Sequence, residues 1–270
     1  MHERERHRII LSAVESRHVA AVGELAELTG ASEATIRRDI ATLAGRSQLR
    51  RVRGGAEATQ TPSPYGRIGS PPLVASEARK RREKRAIARA AVALCAADEA
   101  IIINGGTTTF QMVHHLTAMR LQVLTNSFQT AEHLVRHSGC TVLVPAGAIY
   151  REQSLIISPF EADGIAHFAA ARMFMGCRAI SALGIAEADP LIVQSEQRLM
   201  RQAAEIVVLA DSSKFEARSP MIVAPLSRIG TIVTDDGIAD DAAAMLEAAG
   251  IRLVVADRAS VPEEEVASAA

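Results

Sequence analysis

Three observations predict an α/β fold in two parts. Apolar side chains recur at helical spacing within residues 1–56. From Glu99 onward, short β-rich apolar runs alternate with helical stretches. A segment rich in Pro, Gly and Ser separates the two regions. With 270 residues, 48% of them apolar, the chain can bury a large core, and its balanced 23% of charged residues excludes a disordered chain or a uniformly cationic coat. No apolar run reaches the roughly 20 residues that a membrane-spanning helix needs. The opening Met1-His2-Glu3-Arg4-Glu5-Arg6 alternates charge without the apolar stretch of a signal peptide. Cys95, Cys140 and Cys177 lie far apart without Cys-x-x-Cys spacing, so neither a zinc site nor disulfides are expected, and the cytoplasm is the expected location.

A net charge of −1 conceals an uneven distribution. Residues 1–89 carry 18 Lys+Arg against 10 Asp+Glu, and residues 90–270 carry the other 12 against 21. A cationic front ahead of an anionic body suits a polyanion partner for the front alone.

In chain order, Ile9, Ile10, Ala13 and Val14 mark a first amphipathic helix from Arg4 to about Ser16. A short β-prone stretch, His18 to Ala21, follows. Leu25 and Leu28 anchor a second helix that stops at Thr29-Gly30, where glycine takes a left-handed terminal conformation. Ser32 is a good cap for a third helix, on which Ile36, Ile40 and Leu43 form the buried stripe. Ser32, Glu33, Thr35, Arg37 and Arg38 then lie on or beside the exposed face. A short turn between two helices, with polar and basic groups on the first turns of the second, suits insertion into the DNA major groove. Arg50, Arg51 and Arg53 fall on a small hairpin closed by Gly54-Gly55, the wing of a winged helix-turn-helix. Arginine reads guanine edges or grips phosphate, and the sequence leaves that choice open.

These motifs, Glu24-Leu25-Ala26, Ala31-Ser32-Glu33-Ala34-Thr35-Ile36-Arg37-Arg38-Asp39-Ile40 and Arg51-Val52-Arg53-Gly54-Gly55-Ala56, resemble the N-terminal signature of the DeoR family of bacterial transcription regulators. The resemblance implies that the third helix recognises DNA, through Ser32, Thr35, Arg37 and Arg38. Ser47 stands where that family usually has glycine, and Arg53 where it has histidine.

The domains read as 1–57, the winged helix-turn-helix; 58–76, a linker; 77–257, the larger α/β domain; and 258–270, a tail. A long helix opens at Ser76-Glu77 and runs to about Ala97. Its basic first half lies near DNA or near a partner subunit, and the sequence does not choose. The runs Ile101–Ile103, Val123–Thr125, Val142–Val144, Met173–Met175, Ile206–Leu209, Ile229–Thr234 and Leu253–Val255 read as strands of a mostly parallel sheet. Helices are expected at Phe110–Leu116, Thr130–Arg136, Gln194–Ala204 and Asp240–Ala249. Ligands of such sheets bind off the carboxyl ends of the strands.

Three strand-end loops carry the right groups for a phosphorylated sugar. Asn104-Gly105-Gly106-Thr107-Thr108 combines close backbone approach, hydroxyls and a helix N-terminus. Thr125-Asn126-Ser127 offers amide and hydroxyl groups. Asp211-Ser212-Ser213-Lys214 holds the one lysine after residue 84, a compact point charge suited to phosphate. All three loops resemble the sensor domain of the same family, which is similar in fold to sugar-phosphate isomerases and deaminases. That implies a phosphorylated-sugar effector near Thr107, Thr108, Asn126 and Lys214. Asn104 stands where the family commonly has aspartate, and Gln197-Arg198 where it has lysine before arginine. The stretches Ser158–Asp163 and Glu187–Leu191 resemble a sub-branch tied to sugar catabolic operons, with L-rhamnose the candidate sugar.

The expected function is a repressor of such an operon, released by the effector. The expected partners are operator double-stranded DNA, the sugar phosphate and a second copy of the chain, at least a dimer, with no membrane, cofactor or metal. An active isomerase or deaminase bearing a DNA-binding head is the alternative, and an interaction module with a vestigial pocket is a third. Asp98, Glu99, Glu152, Glu161 and Asp211 are carboxylates available as a general base, but no loop pairs one with a histidine, and no catalytic residue is assigned. His114-His115 reads as ordinary helix surface.

Overall fold

The computed structural model describes residues 2–17, 19–46, 48–58, 80–151, 153–160 and 164–260. Ser47, Glu152, Glu161, most of the expected linker and nearly all of the expected tail lie outside these residues. The chain divides into two compact units, residues 1–79 and 80–269, each taken by itself below.

In the first unit, α1 (Glu3–Arg17) and β1 (Val19–Ala21) precede α2 (Val22–Thr29) and α3 (Glu33–Gly45). Gly30 ends α2 at φ +63, and the Ser32 hydroxyl accepts from the Thr35 amide at 3.3 Å to start α3. Ile36, Ile40 and Leu43 pack with Ile10 and Leu25 into one core. β2 (Arg50–Val52) and β3 (Gly55–Glu57) form the wing, with β3 paired antiparallel to both β1 and β2. Glycine is required at position 55, since a Cβ there would sit 2.1 Å from the Ala20 carbonyl oxygen. Asp39, on the inner side of α3, is buried and bound by α1: Arg6 reaches it at 2.5 and 3.1 Å, and His7 Nε2 at 3.1 Å. Burial alone would raise its carboxyl, but the hydrogen bonds from Arg6 and His7 outweigh that and hold it below the ordinary aspartate value.

The second unit is built on a parallel sheet of seven strands. These are β4 (Ala100–Ile103), β5 (Gln122–Thr125), β6 (Thr141–Leu143), β9 (Ala170–Met175), β12 (Ala203–Leu209), β14 (Thr231–Asp235) and β15 (Arg252–Ala256). Their order is β15-β14-β12-β9-β4-β5-β6. Alternate side chains feed two cores: Ile102, Met173, Ile206 and Ile232 on one face, and Ile101, Phe174, Val207 and Val233 on the other. Two antiparallel additions, β7–β8 (Ala148–Tyr150, Leu155–Ile157) and β10–β11–β13 (Ala179–Ser181, Gly184–Glu187, Met221–Ala224), were not legible as separate sheets in the sequence.

The helices here are α4 (Arg81–Val92), α5 (Thr107–Phe110), α6 (Phe128–His137), α7 (Pro190–Met200) and α8 (Asp240–Ala248). Two expectations are corrected. The helix placed at Phe110–Leu116 instead starts earlier, as the short α5 at Thr107, and passes into a 3-10 turn over Gln111–His115. α7 begins earlier than Gln194, because Asp189 caps it and Pro190 opens it, and it ends before β12 takes over at Ala203. In the basic first half of α4, whose surroundings the sequence left open, Lys84 and Arg85 are buried, and Arg85 Nε donates to Gln111 Oε1 at 3.3 Å.

Candidate DNA interface and effector site

On α3 the groups expected to meet DNA divide by exposure. Ser32, Arg37 and Arg38 are exposed, while Thr35 is half-buried with its hydroxyl 2.9 Å from that of Ser32. Arg37 pairs with Glu33 at 2.7 Å in open solvent, a contact of little energetic weight that phosphate or a base edge can replace. Arg50, Arg51 and Arg53 are all exposed on the wing, and Arg50 pairs with Glu57 at 2.5 Å. Arg37 and Arg51 line one shallow groove between α3 and the wing, with Gly54 and Gly55 at its floor. Charge from two separate elements is thereby brought to one surface of this unit.

In the second unit the loops after β4 and β5 meet. The Gly105 amide donates to Asn126 Oδ1 at 2.9 Å, and Asn126 Nδ2 donates to Ser195 Oγ of α7 at 3.2 Å. Asn104 Nδ2 donates to Glu196 Oε1 at 2.8 Å. Thr125 and Ser127 have local duties: the Thr125 hydroxyl accepts from the Ser127 amide, and the Ser127 hydroxyl caps α6. Thr107 opens α5 and Thr108 is buried on it; the Gly106 carbonyl accepts from Thr109 Oγ1. Gly105 admits the Leu155 side chain of β8, whose Cδ2 lies 2.0 Å from where a Cβ would be. Sequence reasoning missed Leu155, Ser195 and Glu196, which come from elements that no local pattern ties to these loops.

Lys214 follows β12 on a 3-10 turn, half-buried and without an ion pair among the described residues. Its charge is felt by the Cys177 thiol, which burial and the carboxylates of Glu187, Glu196 and Asp211 push upward and Lys214 pulls back. A cavity of about 860 Å³ opens beside this turn, off the ends of β12 and β14. Ser212, Ser213 and Gly237 line it, together with Ser181 and Leu183 of the β10–β11 hairpin. The loops after β4 and β5 are not part of its wall. Gln197 faces away, donating to the Val223 carbonyl at 2.9 Å.

Two of the carboxylates available for catalysis, Glu99 and Asp211, are engaged in contacts of their own, while Glu152 and Glu161 lie outside the described residues. Glu99 and Glu205 share Arg172, at 2.5 and 3.1 Å, at the amino end of the strands, opposite the ligand-binding end. Asp211 accepts from its own turn at Ser213. Among the described residues no three potential ligands are placed to hold a metal ion, and no helix is long and apolar enough to cross a membrane. His114 is exposed, as expected of surface, though on the 3-10 turn, and its ring packs edge-on against Phe110 and His133, with His133 against His137. Burial, then His133, Arg85 and His115, push His114 down to about 4. Its neutral form therefore favours the fold fully above the ordinary histidine value near 6.5, and that contribution fades as pH falls toward 4. Melting temperatures between pH 7 and 4 should fall less steeply for His114→Phe than for the wild type; parallel curves would contradict this assignment.

Residues 6–61 match the DeoR-like helix-turn-helix domain, and residues 79–236 match the DeoR C-terminal sensor domain. The HTH-type transcriptional regulator UlaR of Shigella sonnei (strain Ss046) is 30% identical over 94% of this chain and 99% of its own length. UlaR of Escherichia coli (strain SMS-3-5 / SECEC) gives the same figures. Among solved structures, ribose 5-phosphate isomerase A from Methanocaldococcus jannaschii is similar at 16% identity and a TM-score of 0.37, covering 49% of this chain and 53% of its own. Matched along both units by the two domains of one family, and along nearly its whole length by named transcriptional regulators rather than enzymes, the chain belongs to the DeoR family of DNA-binding regulators.

Proposed function

We propose that this chain represses a sugar catabolic operon in the cytoplasm as a homo-oligomer, at least a dimer, and leaves its operator when a phosphorylated sugar binds at the strand tips of the second unit. The DNA side rests on Ser32, Thr35, Arg37 and Arg38 of α3 and on Arg50, Arg51 and Arg53 of the wing. The effector side rests above all on Lys214, a half-buried ammonium with no ion pair among the described residues, at the carboxyl end of β12, where α/β sheets bind ligands. Asn104, Gly105, Gly106, Thr107, Thr108, Thr125, Asn126 and Ser127 supply the neighbouring loops. For release, the effector must bind the DNA-incompetent state more tightly, since equal affinity shifts nothing.

The test is a melting-temperature panel of sugar phosphates on the full chain, including phosphorylated intermediates of L-rhamnose breakdown, followed by DNA release with each hit. Lys214→Ala should still bind DNA but need at least about 10-fold more effector for release, the scale of one lost charge-assisted contact. Release at the wild-type effector concentration would remove phosphate from Lys214, and turnover of a hit would favour an enzyme.

A further inference from the structure

Two loops of the proposed effector site are tied to consecutive residues of α7, Ser195 and Glu196. Glu196 is 2% exposed and Asn104 0%. One bond between them is made, from Asn104 Nδ2 to Glu196 Oε1 at 2.8 Å. The two remaining atoms of the same pair, Asn104 Oδ1 and Glu196 Oε2, are both buried and have no hydrogen-bond partner among the described residues. As a carboxylate, Glu196 leaves both of these buried acceptors without a donor, at a cost of several kcal/mol typical of unpaired buried polar atoms. As a carboxylic acid it has an O–H to give, and the amide oxygen is the acceptor that lacks one.

We propose that Glu196 is a protonated positioning residue of this site, whose Oε2–H donates to Asn104 Oδ1 and so closes a two-point acid–amide pair. With the Ser195–Asn126 bond, the pair clamps the loops after β4 and β5 onto α7 and fixes where Gly105 presents its backbone. It also removes one negative charge from a site that already holds the Glu187 and Asp211 carboxylates, so that an anionic effector drawn to Lys214 meets less repulsion there. The surroundings support the neutral form: burial, then the Glu187 carboxylate of β11, raise the Glu196 carboxyl well above the ordinary range, against the hydrogen bond from Asn104. The charges of Glu187, Lys214, Glu196 and Asp211 all act on the nearby Cys177 thiol. Arg198, two residues on, is turned away to the carbonyls of Ser158 and Phe160. The positioning role rests on the effector reading above; the acid–amide pair does not.

Three full-length proteins test it: wild type, Glu196→Gln and Glu196→Leu. A carboxyl raised by folding favours the fold fully below its unfolded value near 4.5 and loses that contribution as pH rises through the folded value. Glutamine can make the same two bonds with no proton to lose. Glu196→Gln should therefore melt with the wild type near pH 5 and increasingly above it toward pH 9; a gap that does not change with pH overturns the protonated pair. For whichever sugar phosphate releases the wild type from DNA, Glu196→Leu should need about 10-fold more, and Glu196→Gln should restore release at neutral pH. Wild-type release by Glu196→Leu overturns the positioning role. A panel in which no sugar phosphate acts on the wild type overturns the effector reading and the positioning role with it, while the pH gap still decides the pair.

Discussion

Alanine at Arg37 or at Arg38 is expected to weaken operator binding by about 10- to 100-fold, the scale of one bidentate base contact, with melting temperature and effector binding unchanged. Both side chains are exposed on the first half of α3, and neither supports the core formed by Ile36, Ile40 and Leu43. Arg37 pairs with Glu33, one turn away in solvent, so its removal costs the fold little. Fluorescence anisotropy on a duplex from the promoter of the chain's own operon, at several salt concentrations, separates the two modes. A lost phosphate contact lowers the salt slope by about one and weakens all sequences alike, whereas a lost base contact relaxes discrimination at one position. Wild-type affinity in both variants would remove α3 from the interface.

Asp39→Ala should destabilise the first unit by about 3 kcal/mol, the scale of a buried ion pair broken from one side. The neighbouring arginines point outward, but Asp39 points inward and ties α3 to α1 through Arg6 and His7. Its removal leaves the Arg6 guanidinium largely buried without its carboxylate. Against a domain stability of about 5–15 kcal/mol this is a large loss, and DNA binding should fail on warming well before the second unit unfolds. Calorimetry of the full chain reads it, and the double variant Arg6→Met/Asp39→Leu should recover part of the loss because no charge is stranded. Because Asp39 is held below the ordinary aspartate range, the pair contributes fully above about pH 4 and is lost as the medium becomes more acid. An Asp39→Ala protein with an unchanged first transition would show that α1 and α3 do not depend on this pair.

The first unit was read nearly element by element, and the reason is local. Gly30, the Ser32 cap and the 36–40–43 stripe act within one or two helical turns, as does the Gly54-Gly55 turn of the wing. The parallel sheet was read from β-rich runs that stay apolar because both faces are covered. Helix starts were less legible where capping competed with hydrophobic spacing, as at Asp189-Pro190. The surroundings of the basic run at Arg81–Arg85 were not legible: five adjacent polar residues show no apolar stripe, yet the helix buries Lys84 and Arg85 alongside Ile87 and Ala88.

From its residue order alone this chain disclosed a capped, basic recognition helix with a wing, a doubly covered sheet, and the strand-end loops in which a ligand would lie. All of these follow from contacts between near neighbours and from apolar periodicity. Which side chains close those loops depended on packing: Glu196 reaches Asn104 across 92 positions, Leu155 fills the space over Gly105, and Asp39 turns in toward Arg6 across 33. Hydrogen bonds and burial between distant segments leave no periodic trace in the residues that make them, because their geometry exists only once the strands and helices have been brought together.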